Sequence, residues 1–331
     1  MREKEKMINV GIIGAGKIAT KMAKTIHGVD KTNAYAIASR DAERVLSFAE
    51  THGFKKAYHS YEALFRDENV DLVYVATPHN FHFEHAKLAL KNGKHVLCEK
   101  AITVNAKELT ELIAIATERQ LTFVEAIWSR FMPLHLQLKS LLDTGAIGEP
   151  QILYGNLSYY LEHVERMYNP NLAGGALLDL GVYPVHYALS LFGNDYQSIQ
   201  STMMKTELGV DRHTAITLQY ADGKIAQLMC SMNAFEQSSK IYGTNGRIET
   251  TGIHHIEEIR VYDKENNCTQ VIKRPNDIGG FEFELAETIK MIEEHKIESD
   301  IVTHADSLAV MQVLDTVRQQ NDFIYPNEKV G

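Results

Sequence analysis

Two separated stretches of the sequence carry side chains that could transfer a proton. Lys100 supplies an amine, whereas Asp179, Tyr183 and His186 supply a carboxylate, a phenol and an imidazole. If the second stretch is helical, its spacings of four and three residues place all three side chains on one face. Such groups are the usual general acids and bases of proteins. The sequence therefore predicts that the second stretch forms a polar wall of a substrate cleft.

The stretch around Asp179 has a second interpretation. Pro184 lies within it, and a proline inside a helix removes a hydrogen bond and clashes with the carbonyl four residues earlier. A kink or a late helix start is therefore expected. A core helix with one satisfied aspartate is the alternative, although the paired glycines Gly174 and Gly175 beside Asp179 and Tyr183 make an unusual core.

A glycine-bearing turn near the start of the chain predicts dinucleotide binding. An apolar run ends at Ile13, Gly14 and Gly16 follow, and a helix begins with Lys17 and Ile18. Glycines let the backbone turn tightly and approach a pyrophosphate, and the helix N-terminus then faces the anion. Such a turn alone is common in α/β proteins. Its place after the first strand, with alternating strands and helices behind it, favours a Rossmann domain.

The end of the second predicted strand, Ala34 to Ala38, should meet the adenosine ribose. Ser39, Arg40 and Arg44 supply the hydroxyl and guanidinium groups that suit the 2′-phosphate of NADP, whereas Asp41 would suit the free hydroxyl of NAD. These four side chains could instead form a solvated helix start. We expect NADP(H) to be preferred, with NAD(H) as the other possibility.

Polar residues follow the third apolar strand, Val70 to Ala76. Thr77 and Pro78 end it, and the next helix carries three histidines at intervals of three residues, which are His79, His82 and His85. A zinc site needs a further carboxylate or thiolate ligand set, which the pattern lacks. We therefore expect no metal, and Thr77, Pro78, His79 and His82 are predicted to lie at the mouth of the cofactor cleft.

Glu99 and Lys100 follow another short strand, Lys94 to Cys98. Ligands of open α/β sheets bind at the carboxyl ends of the strands. Partial burial near a cationic nicotinamide would destabilise an ammonium group, which favours a lysine that accepts protons. A surface lysine paired with Glu99 is the alternative.

The pattern of elements changes near Ala126. Before it, a helix and a strand complete a Rossmann-sized unit, and after it strands are joined by Asp222-Gly223 and Asn245-Gly246, which are strong hairpin signals. We predict an α/β protein with a doubly wound parallel sheet in residues 1–126. Residues 127–331 are predicted to form an α+β domain with a large, mostly antiparallel sheet.

Composition narrows the classes of function. The 331 residues carry a net charge of −9, which argues against binding to nucleic acid. No stretch approaches the roughly 20 consecutive apolar residues of a membrane span. The cysteines Cys98, Cys230 and Cys268 are far apart and lack metal-ligand spacing, which suits a reducing compartment. We therefore expect a cytoplasmic protein without a membrane partner.

Several motifs in order resemble the Gfo/Idh/MocA oxidoreductases, which include glucose–fructose oxidoreductase and inositol dehydrogenase. They are the segments 14–19, 76–78, 93–100, 174–181 and 280–281. Segments 125–133 and 179–184 look closest to the branch with dimeric dihydrodiol dehydrogenase and NADP-dependent D-xylose dehydrogenase. The resemblance implies that Lys100 is catalytic, that Asp179 is its acidic partner and that Tyr183 replaces a histidine of many relatives. It also implies that residues 127–331 form a substrate-binding domain with an open-faced sheet, and that a homodimer forms through this sheet.

Ala101 departs from the pattern of this family, which usually has proline after the lysine. A cis bond before a residue other than proline is rare. Either this bond is trans and Lys100 is aimed differently, or the fold imposes the cis form.

The sequence as a whole predicts an NADP-preferring dehydrogenase or reductase. Its substrate would be a carbinol or hemiacetal carbon of a sugar, polyol or vicinal diol, with Trp128 and Arg130 lining the cleft near the nicotinamide. An NAD-dependent, inositol-like dehydrogenase is one alternative. A non-catalytic NAD(P)-binding sensor of the same fold is another.

Overall fold

The computed structural model describes residues 7–277, 279–326 and 328, and the chain divides into two compact units. The first unit contains the chain up to Thr103, Lys107–Ala126 and Asp277–His304. The second contains Val104–Ala106, Ile127–Asn276 and the chain from Ala305 onwards.

The first unit is built on a six-stranded parallel sheet with the strand order β3-β2-β1-β4-β5-β6. Its strands are β1 Ile8–Ile13, β2 Thr32–Ala38, β3 Lys56–Tyr58, β4 Leu72–Val75, β5 His95–Glu99 and β6 Phe123–Ala126. Every residue of β4 is buried, as expected for a parallel strand covered on both faces. This order is that of the doubly wound dinucleotide-binding fold, so the predicted Rossmann architecture is confirmed.

Helices connect these strands. They are α1 Lys17–Ile26, α2 Ala42–His52, α3 Tyr61–Phe65, α4 His82–Lys91 and α5 Ala106–Arg119. A short 3-10 turn, His79–Phe81, precedes α4. Side-chain oxygens of Asp41 and Ser60 accept hydrogen bonds from the first turns of α2 and α3, which is the usual way to satisfy unpaired N–H groups there.

The second unit is built on an eight-stranded sheet with the order β14-β13-β12-β11-β7-β10-β9-β8. Its strands are β7 Pro150–Tyr160, β8 Tyr196–Lys205, β9 Asp211–Tyr220, β10 Ile225–Ser231, β11 Asn233–Gly243, β12 Gly246–Thr251, β13 Glu258–Tyr262 and β14 Cys268–Lys273. Neighbouring strands are antiparallel except for β7 and β10. Both predicted hairpins are present, because Asp222-Gly223 joins β9 to β10 and β12 begins at Gly246.

The helices of the second unit before its last segment are α6 Pro133–Asp143, α7 Glu165–Tyr168 and α8 Val182–Phe192. A π-helical turn, Leu177–Gly181, leads directly into α8. Pro184 therefore lies in the first turn of α8, where a proline is tolerated. Of the expected kink or late helix start, the structure shows the late start.

Two helices close the chain, α9 Phe281–Glu293 and α10 His304–Gln320. The sequence assigned everything after residue 126 to the second domain, but α9 belongs to the first unit. It packs against α1 and β5 through a face that includes the buried Leu285 and Ile289. Covering the Rossmann sheet is the physical reason for this return. In the part of the chain that the structure describes, no helix combines the length and apolarity required to cross a bilayer.

Candidate active site

The glycine turn after β1 has the geometry that a nucleotide diphosphate requires. Gly14 has a φ of +93°, and a Cβ atom there would lie 2.6 Å from the carbonyl oxygen of Ala76. No other residue fits at that position. A Cβ atom on Gly16 would meet nothing within 4 Å, so the turn is open on that side. The backbone is therefore shaped to let a ligand approach closely.

The start of α1 completes this cradle. Gly16 is its N-cap in extended conformation, and no side-chain cap bonds to it from the described residues. Lys17 is exposed, Ile18 is half-buried, and no acidic residue lies in the first turn. An uncapped helix start without negative charge favours an anion. These residues fit the diphosphate of a dinucleotide.

The end of β2 carries the residues expected near the ribose. Ser39 is buried, and the carboxylate of Asp41 accepts a hydrogen bond from the backbone N–H of Arg44 at 3.0 Å. Asp41 thus acts as the cap of α2. The guanidinium carbon of Arg40 lies 5.7 Å from the centre of the Phe81 ring. A cation and an aromatic face therefore lie together at this strand end.

The loop after β4 is tied down by His82. This imidazole is almost fully buried, with Nε2 at 2.7 Å from the carbonyl oxygen of Thr77 and Nδ1 at 2.8 Å from that of Ala101. Burial lowers its pKa. The ring therefore links Thr77, which precedes Pro78, to Ala101, which follows Lys100. The centre of the His82 ring lies 5.5 Å from that of the His79 ring.

His85 also serves this loop. Its Nδ1 atom lies 2.9 Å from the hydroxyl of Thr77, and burial lowers its pKa to about 4, so the imidazole is neutral at pH 7. Among the described residues, no group of three His, Cys, Asp or Glu side chains could hold a metal ion. His82 and His85, two of the three histidines considered as metal ligands, thus make hydrogen bonds within the protein.

Lys100 directly follows β5, and the peptide bond between Lys100 and Ala101 is cis. Of the two alternatives that Ala101 left open, a trans or a cis bond, the structure has the cis form. The neighbouring Glu99 is buried and accepts hydrogen bonds from the hydroxyl of Tyr74 and, at 3.3 Å, from the backbone N–H of Lys100. A fixed carboxylate therefore holds the backbone at the lysine.

Two further buried carboxyl groups lie in this unit, and the sequence did not point to them. Glu125 at the end of β6 accepts a hydrogen bond from the N–H of Ile102 at 3.3 Å. Glu284 on α9 is completely buried, and burial together with the charges of Glu99 and Glu125 raises its pKa well above the usual range. Its surroundings therefore favour the protonated, uncharged form of Glu284. An amphipathic helix pattern gives no signal for such a residue.

The second unit buries Asp179 in the π-helical turn and pairs it with an arginine. The Nη1 atom of Arg166 lies 2.7 Å from the Oδ1 atom of Asp179, whose side chain is 7% exposed. Arg166 lies on α7 and its side chain is 46% exposed. π-Helical turns are rare and often mark functional sites. Sequence reasoning missed Arg166, because no motif connects it with Asp179.

Tyr183 and Trp128 are joined by a hydrogen bond. The indole N–H of Trp128 donates to the hydroxyl of Tyr183 at 3.0 Å, and both side chains are buried. The ring of His254 lies 5.5 Å from that of Tyr183 and 5.6 Å from that of Trp128. His254 Nε2 is also 3.1 Å from the hydroxyl of Tyr159. The predicted tyrosine thus belongs to an aromatic cluster that includes two residues missed in the sequence.

Two other predicted residues have different surroundings. Arg130 is buried, and its Nη2 atom lies 3.9 Å from a carboxylate oxygen of Asp306. His186 is completely buried within α8. The structure therefore groups Asp179 with Arg166 and Tyr183 with Trp128.

Comparison with known proteins agrees with this architecture. Residues 8–126 match an oxidoreductase family with an NAD-binding Rossmann fold, and residues 135–249 match the GFO/IDH/MocA C-terminal domain. The trans-1,2-dihydrobenzene-1,2-diol dehydrogenase of Xenopus tropicalis is 33% identical over 327 residues, which cover 96% of this chain and 98% of that protein. The Homo sapiens enzyme of the same name is 30% identical over 328 residues, with the same coverage.

Solved structures give a consistent picture. KijD10, a 3-ketoreductase from Actinomadura kijaniata in complex with NADP and TDP-benzene, has a TM-score of 0.88 at 26% identity, covering 95% of this chain and 98% of that one. An aldose-aldose oxidoreductase from Caulobacter crescentus has a TM-score of 0.86 at 19% identity, covering 96% of this chain and 98% of that one, and supports the fold alone. With matches in both halves and relatives that span nearly its whole length, the chain belongs to the Gfo/Idh/MocA family of NAD(P)-binding oxidoreductases, as its motifs predicted.

Proposed function

We propose that this protein is an NADP(H)-dependent dehydrogenase or reductase acting on a CH–OH group of a sugar, polyol or vicinal diol. The observation that carries the proposal is the buried segment on which Asp179 is paired with Arg166 and Tyr183 with Trp128. A protein that only senses a nucleotide does not need such a set. The names of its relatives, a dihydrodiol dehydrogenase and a 3-ketoreductase, support the substrate class.

The residues of the first unit would hold the cofactor. The full set of residues proposed to contact it is Gly14, Gly16, Lys17, Ile18, Ser39, Arg40, Arg44, Thr77, Pro78, His79, His82, Glu99, Lys100, Trp128 and Arg130. When bound, the nicotinamide supplies or accepts a hydride. The protein must provide orientation, electrostatics and the path of the proton.

Oxidation of a carbinol also requires the loss of a proton from its hydroxyl group. We assign this proton to Lys100 and Tyr183, one of which accepts or relays it. Asp179, held by Arg166, orients the substrate by accepting a hydrogen bond from a hydroxyl group. Because the accepting group must be unprotonated, the rate of oxidation should rise with pH through one ionisation.

The test is a substrate panel. Purified protein would be mixed with NADP⁺ or NAD⁺ and with a trans-dihydrodiol, several aldoses, inositol and linear polyols, and reduction of the nicotinamide would be followed by absorbance. Turnover of a diol or aldose with NADP⁺ supports the proposal. Turnover of inositol with NAD⁺ favours the alternative, an NAD-dependent, inositol-like dehydrogenase. Tight cofactor binding without turnover of any compound, in either direction, favours a sensor.

The preference for NADP(H) rests on the end of β2. Asp41 caps α2 there, while Arg40 lies beside Phe81. We expect Arg40→Ala to weaken NADPH binding by about ten- to a hundredfold, because a hydrogen bond to a charged group contributes about 1.5–3 kcal/mol. NADH binding should change little. Fluorescence titrations with both nucleotides measure this, with the exposed Arg66→Ala as control, and tighter binding of NADH to the unmodified protein would overturn the preference.

The homodimer is also part of the proposal, and the outer face of the eight-stranded sheet supports it. Ile152 and Tyr154 on β7, Met229 on β10 and Tyr242 on β11 are 37%, 44%, 37% and 37% exposed. They are neighbours in the strand register. An apolar patch of this kind on one sheet face marks an interaction surface, and a second copy related by a twofold axis is the common solution.

Light scattering tests the dimer. At micromolar concentration we expect twice the monomer mass for the unmodified protein and the monomer mass for the double variant Tyr154→Glu, Met229→Glu, because buried unpaired carboxylates are costly. Leu46→Glu provides the control, since Leu46 is 55% exposed on α2 of the first unit. A monomeric parent protein, or a dimeric double variant, contradicts this interface.

A cytoplasmic location completes the proposal. Cys98, Cys230 and Cys268 are all free thiols, and the first two are buried. Disulfides are rare in reducing compartments. Free thiols are therefore what an enzyme of the cytoplasm is expected to carry.

A further inference from the structure

The segment that carries Asp179 and Tyr183 begins at a buried carboxylate from another element. Asp211, the first residue of β9, is completely buried. Its Oδ2 atom accepts a hydrogen bond from the backbone N–H of Leu177 at 2.7 Å and another from the hydroxyl of Thr214 at 3.1 Å. Asp211 therefore caps the π-helical turn from 34 residues away in sequence.

One of the two glycines before this turn lies directly against the same carboxylate. Gly175 has a φ of +118°, and a Cβ atom there would lie 2.0 Å from the Oδ1 atom of Asp211. A Cβ atom on Gly174 would lie 2.7 Å from the carbonyl oxygen of Met167. Gly175 thus makes room for the aspartate, which gives this glycine a structural role apart from substrate binding.

The side chain of Asp211 gains or loses its charge near pH 6. Burial raises its pKa to about 6, against the opposing effect of the hydrogen bonds from Leu177 and Thr214. Among the described residues, Cys230 and Tyr325 interact electrostatically with Asp211, and burial raises the pKa values of both well above their usual range. Both stay neutral between pH 5 and pH 8. Above about pH 6 the carboxylate therefore places a negative charge at a helical N-terminus, which is favourable.

We propose that Asp211 is a positioning residue for the reaction, because it fixes the start of the segment from which Asp179 and Tyr183 project. This inference rests on the proposed function of those two residues. Asp211 acts through its hydrogen bond to the backbone N–H of Leu177, and not through contact with a substrate. Small displacements of catalytic groups are costly, since a shift of about 1 Å can reduce a rate by roughly a hundredfold.

The experiment compares Asp211→Ala and Asp211→Asn in the full-length protein. At pH 7.5 we expect the alanine variant to lose about tenfold or more in kcat, while the dissociation constant of NADPH changes by less than about twofold. The asparagine variant keeps an oxygen that accepts the N–H of Leu177 but carries no charge, so its kcat should lie between those of the alanine variant and the unmodified protein. Asp315→Ala is the matched control, because Asp315 accepts from the first N–H of α5 at 2.8 Å and should leave kcat unchanged.

The pH profile separates positioning from a general effect on stability. Besides the ionisation of the proton acceptor, the unmodified protein should show a second step near pH 6, at which kcat falls towards that of Asp211→Asn. The asparagine variant should lack this second step because it has no proton to gain. A folded alanine variant with unchanged kcat would refute the proposal. If the alanine variant does not fold, an identical acid limb in the asparagine variant refutes it instead.

Parallel measurements on Asp179→Asn and Tyr183→Phe distinguish this inference from the proposed function. Full turnover in both of them would overturn the assignment of the site, and the role of Asp211 with it. Loss of turnover in both, with unchanged kcat in Asp211→Ala, overturns only the role of Asp211.

Discussion

Replacing Lys100 by methionine should abolish most turnover while NADPH still binds. Methionine keeps the length and much of the volume of the side chain but has no amine to accept a proton. General acid–base groups contribute typically 10²- to 10⁴-fold to a rate, so we expect a loss of about that size in kcat. Steady-state kinetics and fluorescence titration of the same preparation measure both quantities.

The control for this variant is Lys107→Met. Lys107 is exposed on α5, so the change has the same chemistry without a predicted role. Any residual oxidation by Lys100→Met should lose the rise with pH that the parent enzyme shows. Full turnover by Lys100→Met would refute the assignment of the lysine, and loss of NADPH binding as well would assign Lys100 to the cofactor alone.

Tyr183→Phe should reduce kcat by about a hundredfold, the lower part of the range for general acid–base groups. The change removes only the hydroxyl, which accepts the indole N–H of Trp128 at 3.0 Å. The fold should persist, since loss of a buried hydrogen bond costs about 1–3 kcal/mol. Steady-state kinetics with the best substrate of the panel measures the effect, and thermal denaturation measures the stability.

Tyr187→Phe gives a closely matched comparison. Tyr187 lies one turn further along α8, is buried, and shares a hydrogen bond of 2.5 Å with the hydroxyl of Ser239. Its loss should lower stability by a similar amount and leave kcat unchanged. If both variants lose kcat equally, the effect of Tyr183 is one of packing in α8 and the proton-transfer role is wrong.

Much of the fold was predictable because it depends on neighbours in sequence. Gly14 adopts a backbone angle closed to other residues, and the prediction of a tight turn there needed only the residue type and the strand before it. Asn245-Gly246 and Asp222-Gly223 define hairpins for the same reason. The order of strands and helices then led to the doubly wound sheet, and the position of Lys100 after a strand placed it at the ligand-binding edge of that sheet.

The environment of each functional side chain was not predictable in this way. The partner of Asp179 is Arg166 on a separate short helix, and the partner of Tyr183 is Trp128, 55 residues earlier. Glu284 becomes a buried acid with a raised pKa only because α9 returns to cover the Rossmann sheet. None of these pairs has a fixed spacing that a motif could record.

The sequence by itself therefore determined the local turns, the order of elements, the family and the types of groups available for chemistry. The tertiary structure alone decided that Asp211 caps the segment of Asp179, that His82 joins the loops beside Lys100, and that α9 belongs to the first unit. The physical reason is the distance along the sequence over which each property is determined. Backbone conformation follows from residues a few positions apart, whereas burial and hydrogen bonding depend on which distant surfaces pack together.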